Sequence, residues 1–165
     1  MTRFGRNGFI FAIILLLQGC SGNSFHLRKN LDLPKTSQQI QITNLSYDNE
    51  LVKAFELALE EAGGQLLKEA ETQIKISNVR EGKRVVSYTS ERKAREYLVF
   101  LKFDYEVSFD GKEKTYKKRI NLDRSFIYDA NFALGKAEEE KEIQQDLRQD
   151  AARLMILRLQ YTEKK

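Results

Sequence analysis

The chain has 165 residues but only one cysteine, one proline and one histidine. A single cysteine cannot form a disulfide within the chain, so no disulfide framework supports the fold. The single histidine, His26, has no partner side chain for base catalysis or for a metal site. The sequence also lacks a serine nucleophile elbow, a metal-ligand pair and a glycine-rich phosphate loop. We therefore expect no catalytic residues, no metal and no cofactor.

The N-terminal segment has the pattern of a lipoprotein signal peptide. Arg3 and Arg6 supply positive charge, and residues 9–17 form an apolar run that is followed closely by Gly19 and Cys20. This run is well short of the roughly 20 residues that a transmembrane helix needs. The pattern predicts cleavage after residue 19, with Cys20 as the lipidated first residue of the mature protein.

A different interpretation of Cys20 is a buried thiol in an ordinary helix. Gly19 and the pair Ser21-Gly22 argue against it, because glycine disfavours a helix interior. Ser21, the residue after the cysteine, also indicates to which membrane the lipoprotein is sorted. In bacterial lipoproteins an aspartate there commonly signals retention in the inner membrane, so the serine of this chain implies export toward the outer membrane.

The rest of the chain is expected to form one domain. Residues 1–19 are the predicted cleaved signal peptide, residues 20–37 a lipidated linker, and residues 38–165 a single α+β domain. The formal net charge of +4 is modest, so composition does not call for a nucleic-acid partner.

The first half of the domain reads as a strand followed by a helix. Residues 40–45 alternate between apolar and polar side chains, which predicts a half-buried strand. Apolar residues then recur at helical spacing, at positions 51, 52, 55, 59 and 62. We expect Asp48 to cap this helix and Gly63-Gly64 to end it in the left-handed conformation.

The middle of the domain is predicted to be strands. Residues 73–80 and 83–90 are expected to form two strands around a turn at Glu81-Gly82. The clearest strand runs over residues 97–109, because every odd position there is apolar and most even positions are polar. The Asp110-Gly111 pair that follows is a strong signal for a two-residue hairpin turn.

A further strand to about Phe126 and a long C-terminal helix complete the predicted fold. The helix should begin near Asn131 or Leu134 and end near Gln160, with its inward stripe at Ile143, Leu147, Ala151, Leu154 and Leu157 or Arg158. The predicted order is β-α-β-β-β-β-α. Two amphipathic helices and such strands pack most simply as two layers. We therefore expect an α+β fold with two helices on one face of a mostly antiparallel, mixed sheet of about four to five strands.

Charge is distributed unevenly over these predicted elements. Residues 80–95 contain six cations and two anions, residues 112–124 again six and two, and helical residues 136–150 three and six. The sheet should therefore present a basic surface able to recruit polyanions, such as the phosphates of a glycolipid, a membrane surface or a nucleic acid. The alternative is that these side chains only keep strand edges soluble and discourage edge pairing.

Several short segments follow one another in an order and spacing that resemble one protein family. They begin with Cys20 and continue with Phe25-His26-Leu27-Arg28, Leu33-Pro34, Ala94-Arg95-Glu96-Tyr97, Arg124-Ser125-Phe126, Phe132-Ala133-Leu134-Gly135-Lys136, Asp150-Ala151-Ala152 and Leu157-Arg158-Leu159. On these segments the chain resembles the LptE family of lipopolysaccharide-assembly lipoproteins, whose members plug the outer-membrane barrel LptD.

The resemblance implies a protein without enzymatic activity. It implies an outer-membrane lipoprotein, held by its N-terminal lipid on the periplasmic side and in the barrel lumen. Such a protein plugs LptD, supports its assembly and binds lipopolysaccharide during delivery to the outer leaflet. In the family, the position of His26 has no catalytic part.

The resemblance also implies a lipopolysaccharide-binding site. The family has a cation in the loop before the long strand and a lysine at the start of the last helix. Lys136 matches the lysine, whereas Ser90 stands at the loop position, with Arg92, Lys93 and Arg95 just beyond it. All three loop cations are candidates, together with Lys136, because each can form charge-assisted hydrogen bonds with a phosphate.

A function of a different class fits the signal sequence, size and fold equally well. It is an outer-membrane lipoprotein that scaffolds another envelope assembly, such as a secretion pilotin, without binding glycolipid. Co-purification with a large export barrel would separate the two interpretations.

Overall fold

The computed structural model describes residues 33–46, 48–109 and 115–162. The strands are β1 (Gln39–Thr43), β2 (Gln65–Leu66), β3 (Thr72–Tyr88), β4 (Ala94–Ser108) and β5 (Thr115–Ile127), and the helices are α1 (Glu50–Glu61) and α2 (Ala133–Thr162). Short 3-10 turns precede β1 and α2, at Lys35–Ser37 and Ala130–Phe132. The predicted signal peptide, Cys20, His26 and the predicted Asp110-Gly111 turn lie outside the described residues.

The five strands form one mixed sheet in the order β2-β1-β3-β4-β5. β1 runs parallel to β2 and β3, and β4 is antiparallel to both β3 and β5. The parallel pairing of β1 with β2 needs a crossover connection, which α1 provides. α2 packs against α1 and against β4 and β5. The predicted α+β class, with two helices and a five-stranded mixed sheet, is confirmed. The order β-α-β-β-β-β-α also matches, but its second strand is the unpredicted β2, and the strands predicted over residues 73–80 and 83–90 are one strand, β3.

The first strand and helix form largely as the sequence predicts. Ile40 and Ile42 alternate into the core and are almost fully buried. The predicted cap at Asp48 is wrong by one residue, because the helix begins at Glu50 and the side chain of Asn49 accepts a hydrogen bond from the Leu51 backbone N–H at 2.9 Å. Gly63 ends the helix at a φ of +78°, a conformation that glycine adopts without strain.

The predicted turn at Glu81-Gly82 is wrong, because β3 continues through it as one 17-residue strand. Glu81 pairs with Leu101 and Gly82 pairs with Phe100 on β4. The register shifts between Ser77 and Arg80, where β3 has one more residue than its partner strand. This bulge reverses which positions face the core. In the sequence the interrupted alternation therefore looks like the end of one strand and the start of another.

The odd-numbered face of β4 is buried as predicted. Leu101 and Phe103 are each 1% exposed, whereas Lys102 points to the opposite face and is exposed. On α2 the predicted stripe is confirmed at its first three positions, Ile143, Leu147 and Ala151. It then continues by steps of four to Met155 and Leu159, so the prediction of Leu157 is wrong and its side chain is 39% exposed. Leu154 is only partly buried and packs against the core cluster.

Arg158, the other predicted position on the α2 stripe, lies at the edge of the sheet. Its guanidinium donates a hydrogen bond to the backbone carbonyl of Arg119 on β5, at 2.8 Å. Both helices cover one face of the sheet, and we call the other the open face. Among the described residues, no helix is both long and apolar enough to cross a membrane.

Candidate functional site

The turn that joins β3 to β4 carries two of the predicted cations. Thr89 closes it, because its backbone N–H donates to the Lys93 carbonyl at 2.8 Å and its carbonyl accepts from the Arg92 N–H at 2.9 Å. The Thr89 hydroxyl oxygen also accepts from the Lys93 N–H at 3.2 Å. These bonds hold Arg92 at a φ of +62°, where a side chain is disfavoured. The turn is therefore a defined structure that presents two exposed cations.

Lys93 forms a weak ion pair within this turn. The Lys93 ammonium lies 3.0 Å from the Glu91 carboxylate, and both side chains are at least 70% exposed. Exposed pairs of this kind contribute about 0 to 1 kcal/mol, since water screens them. Lys93 can therefore exchange Glu91 for another anion at little cost.

Arg95 connects the β3–β4 turn to the end of the edge strand β5. The register between β3 and β4 shifts at Arg95, because Ser87 pairs with Glu96 and Tyr88 pairs with Ala94. Its backbone carbonyl accepts a hydrogen bond from the N–H of Tyr128, the residue after β5, at 2.8 Å. The exposed Arg95 side chain thus lies where the β3–β4 turn meets the segment that leads into α2.

An aromatic cluster stabilises this meeting point. The Tyr97 ring stacks on Phe126 with a centroid distance of 5.8 Å and meets Tyr128 edge-on at 5.4 Å. The Lys83 ammonium lies 5.2 Å from the Tyr97 ring centroid and pairs with Glu140 of α2. These contacts attach the first half of α2 to the end of the sheet that carries the turn.

Lys136 is less available than the sequence suggests. Its ammonium lies 2.6 Å from the Glu139 carboxylate, and its side chain is only 23% exposed. Helical spacing explains this low exposure, because Lys136 lies seven residues before Ile143 and so shares the inward stripe of α2. Among the described residues, no hydrogen bond or ion pair joins Lys136 to Arg92, Lys93 or Arg95. The structure brings the four to one end of the domain without direct contact between helix and turn cations.

The expectation of a basic sheet surface requires correction for the helix-covered face. On the helix-covered face, α2 supplies counter-charges: Arg124 lies 2.5 Å from Asp146 and 3.2 Å from Asp150, and Lys83 pairs with Glu140. The acidic excess of α2 thus neutralises cations of the strands beneath it. Positive charge remains prominent in the β3–β4 turn and on the open face.

Sequence reasoning missed the exposed apolar side chains at the same end of the domain as the turn cations. Tyr88, Ile127 and Phe132 are each more than 60% exposed, and Leu134 is 88% exposed. A signal existed, because Leu134 lies off the helical stripe that runs back from Ile143 to Lys136. We call Tyr88, Arg92, Lys93, Arg95, Ile127, Phe132, Leu134 and Lys136 the tip.

The tip has the chemistry of a binding surface. Exposed cations next to exposed apolar side chains suit a ligand that has both phosphates and hydrocarbon. Within the described ranges, no group of three or more His, Cys, Asp or Glu residues could hold a metal ion.

Comparison with known proteins agrees with this architecture. Residues 36–159 match the family model described as LptE, lipopolysaccharide-assembly. LPS-assembly lipoprotein LptE from Photorhabdus laumondii is 29% identical over 88% of this chain and 80% of its own length, and that from Pectobacterium atrosepticum is 24% identical over 88% and 79%. The solution structure of lipoprotein B from Nitrosomonas europaea superposes with a TM-score of 0.68 at 18% identity, over 86% of this chain and 94% of its own. This chain belongs to the LptE family of lipopolysaccharide-assembly proteins.

Proposed function

We propose that this chain is an outer-membrane lipoprotein that plugs and helps to assemble the LptD barrel and binds lipopolysaccharide during its delivery to the outer leaflet. It acts by binding and placement, without an enzymatic step. The family assignment supports the role in lipopolysaccharide assembly. The proposed binding residues are Arg92, Lys93 and Arg95 of the turn, with Lys136 of α2.

The observation that carries the glycolipid part is the composition of the tip. A guanidinium beside an ammonium can bind a phosphate through several charge-assisted hydrogen bonds. Phe132 and Leu134, at the same end of the domain, expose apolar surface, whose removal from water by an acyl chain is favourable by about 25 cal/mol per Å². A solubilising role alone would explain the cations but not the exposed apolar side chains at the same end of the domain.

The proposed anchor is the lipid on Cys20, which would hold the protein at the periplasmic side of the outer membrane while the domain occupies the barrel lumen. Cys20→Ala should leave an unlipidated precursor, since the chain has no other cysteine. Mass spectrometry of the membrane fraction measures this. A normally acylated mature protein from that variant would contradict the proposed anchor, whereas continued barrel association would not.

The test of the tip is a charge reversal with a matched control. Arg92→Glu with Lys93→Glu should weaken lipopolysaccharide binding by roughly 2- to 30-fold at low salt, if each exposed contact is worth about 0.2 to 1 kcal/mol. The control, Lys53→Glu with Lys68→Glu, makes the same charge change at exposed positions on α1 and just after β2. Lys136→Gln is measured separately, because its ammonium is paired with Glu139.

The outcomes separate glycolipid binding from a scaffold or pilotin role. The salt dependence should shrink with the loss of the turn cations, and both double variants should remain folded and co-purify with the barrel. Equal binding by the two folded variants would remove the tip as the site. Unchanged barrel association together with no lipopolysaccharide binding by the unmodified protein would favour the scaffold.

A further inference from the structure

A second cationic surface lies on the open face, away from the tip, at the bulge of β3. It is a groove of about 350 Å³ lined by Asn78, Arg80, Lys102, Phe103, Asp104, Arg119 and Asn121. We call this the bulge groove. Three of these side chains are cationic and one is a carboxylate, so the groove has an excess of positive charge.

The bulge itself places the charges. Asn78 adopts a φ of +55°, and the extra residue in β3 turns Arg80 onto the open face, directly opposite Lys102 on β4. Lys102 is in turn opposite Asn121 on β5. Like charges directly opposite one another across a strand pair are destabilising. The strands therefore hold two cations side by side in an arrangement that an anion would stabilise.

Asp104 neutralises this pair only in part, because it forms its hydrogen bonds elsewhere and interacts with Arg80 only through its charge, the smallest of the influences on its pKa. One of its oxygens accepts from the Arg119 Nε at 2.6 Å, and the other accepts from the Arg119 Nη2 at 3.2 Å and from the Asn78 Nδ2 at 2.9 Å. These hydrogen bonds hold the pKa of Asp104 at about 2, well below its ordinary value. Both carboxylate oxygens are thus engaged by Arg119 and Asn78. Within the described chain, no carboxylate forms an ion pair with Arg80 or Lys102.

The donors that remain are of complementary kinds. Arg80 offers a planar fork, Lys102 a point charge and Asn121 an amide N–H. The Lys102 ammonium lies 5.5 Å from the centroid of the Phe100 ring, which keeps it close to the sheet surface. Three donors of this kind around a polar groove match the several oxygens of one tetrahedral oxyanion.

We propose that the bulge groove is a phosphate-binding site formed by Arg80, Lys102 and Asn121, distinct from the tip. The ligand group is a phosphate, supplied either as a free ion or as a phosphate ester on the saccharide of a glycolipid. The proposal does not depend on the function proposed for the tip, because it shares no residue with it.

The experiment is a titration of the isotope-labelled full mature chain in zwitterionic micelles, followed by NMR. Three probes are compared: inorganic phosphate, deacylated lipopolysaccharide saccharide that retains its phosphates, and the same saccharide after dephosphorylation. Saturable shifts at Arg80, Lys102 and Asn121 with either phosphorylated probe are expected. Shifts with the phosphorylated saccharide but not with inorganic phosphate identify a glycolipid source. Equal shifts with the phosphorylated saccharide and with inorganic phosphate identify the free ion. No shifts in the groove, or equal shifts with the dephosphorylated probe, would overturn the proposal.

A matched pair of variants assigns the site. Arg80→Gln with Lys102→Gln should weaken binding of the phosphorylated probe by about tenfold, the order expected for losing one to two charged hydrogen bonds. Arg84→Gln with Lys75→Gln removes the same two charges from exposed positions of β3 outside the groove and should leave binding within about twofold. Equal loss in both variants, or no loss in the first, would overturn the proposal.

Thermal stability in chloride and in phosphate provides a second readout. In chloride buffer, Arg80→Gln with Lys102→Gln should unfold at the same or a higher temperature than the unmodified protein, because a repulsion is removed. In phosphate at equal ionic strength the unmodified protein should gain stability and the variant should not. Retention of groove shifts in the Arg92→Glu, Lys93→Glu variant would separate this site from the tip.

Discussion

On the two faces of strands β3 to β5, the cations have different neighbours. On the helix-covered face, Lys83 and Arg124 lie against carboxylates of α2, and Glu81 lies 2.9 Å from Arg148 of α2. On the open face, Arg119 pairs with Asp104 at 2.6 Å and Lys117 with Glu106 at 2.9 Å. Arg80, by contrast, faces Lys102 instead of a carboxylate. The difference shows that the position of a charge relative to α2 is more informative than the number of charges in a segment. Cations beneath the helix fix it to the sheet, whereas Arg80 and Lys102 on the open face form no ion pair with a carboxylate of the described residues.

The largest contrast between the faces should appear in stability. Phe103 is 1% exposed beneath the helices and its neighbour Lys102 is exposed on the open face. Phe103→Ala should lower the free energy of unfolding by about 3 to 5 kcal/mol, since it leaves a cavity, and Lys102→Ala should change it by less than about 0.5 kcal/mol. Urea denaturation measures both. Comparable losses would mean that the two faces of β4 are wrongly assigned.

A smaller effect tests the pairing of α2 with the sheet. Arg124→Ala removes the cation between Asp146 and Asp150, which then repel each other one helical turn apart. The expected loss is about 0.5 to 1 kcal/mol, because all three side chains are about half exposed. Lys118→Ala, at an exposed position of the same strand, is the control. An effect no larger than that of the control would show that these ion pairs do not stabilise the helix.

In the β3–β4 turn, we expect one substitution to raise the free energy of unfolding instead of lowering it. Arg92→Gly should raise the free energy of unfolding by about 0.5 kcal/mol, because relief of the positive-φ strain exceeds the entropic cost of glycine. Lys93→Gly has no such strain to relieve and should be destabilising. A thermal melt of both variants checks the signs, and destabilisation by Arg92→Gly would contradict the account of the turn.

The smallest effect concerns pH on the open face. The pKa of Asp104 is lowered from 3.8 to about 2 by Arg119 and Asn78. Its contribution to stability is therefore complete above pH 3.8 and is lost as the pH falls toward 2. Asp104→Asn should lower the urea midpoint at pH 6, and its difference from the unmodified protein should shrink as the pH falls through about 2. A difference between the two that stays constant over this range would contradict the assignment.

Most of the fold could be predicted because its periodicities are local. The alternation of β4 and the spacing of Leu51, Phe55 and Leu59 on α1 each identify their element without tertiary information. The turn expected at Glu81-Gly82 failed for a tertiary reason. A bulge is defined by the partner strand, so a sequence shows only an interruption that a turn would also produce.

The candidate site divides in the same way. The turn cations could be located from the sequence, because they fall between two strands. The pairing of Lys136 with Glu139 and the exposure of Phe132 depend on how α2 meets the sheet. The bulge groove was not predictable, since Arg80, Lys102 and Asn121 come from three strands whose register the sequence does not specify.

The most direct test of the central claim is where lipopolysaccharide touches the protein. A photo-crosslinking side chain is placed at Phe132 of the tip and, as a control, at Leu57 of α1, which is also apolar and is 51% exposed. Irradiation in cells that export lipopolysaccharide should give a glycolipid adduct at position 132 and none at position 57. An adduct at position 57 without one at position 132 would contradict the assignment of the tip as the glycolipid-binding end of the molecule.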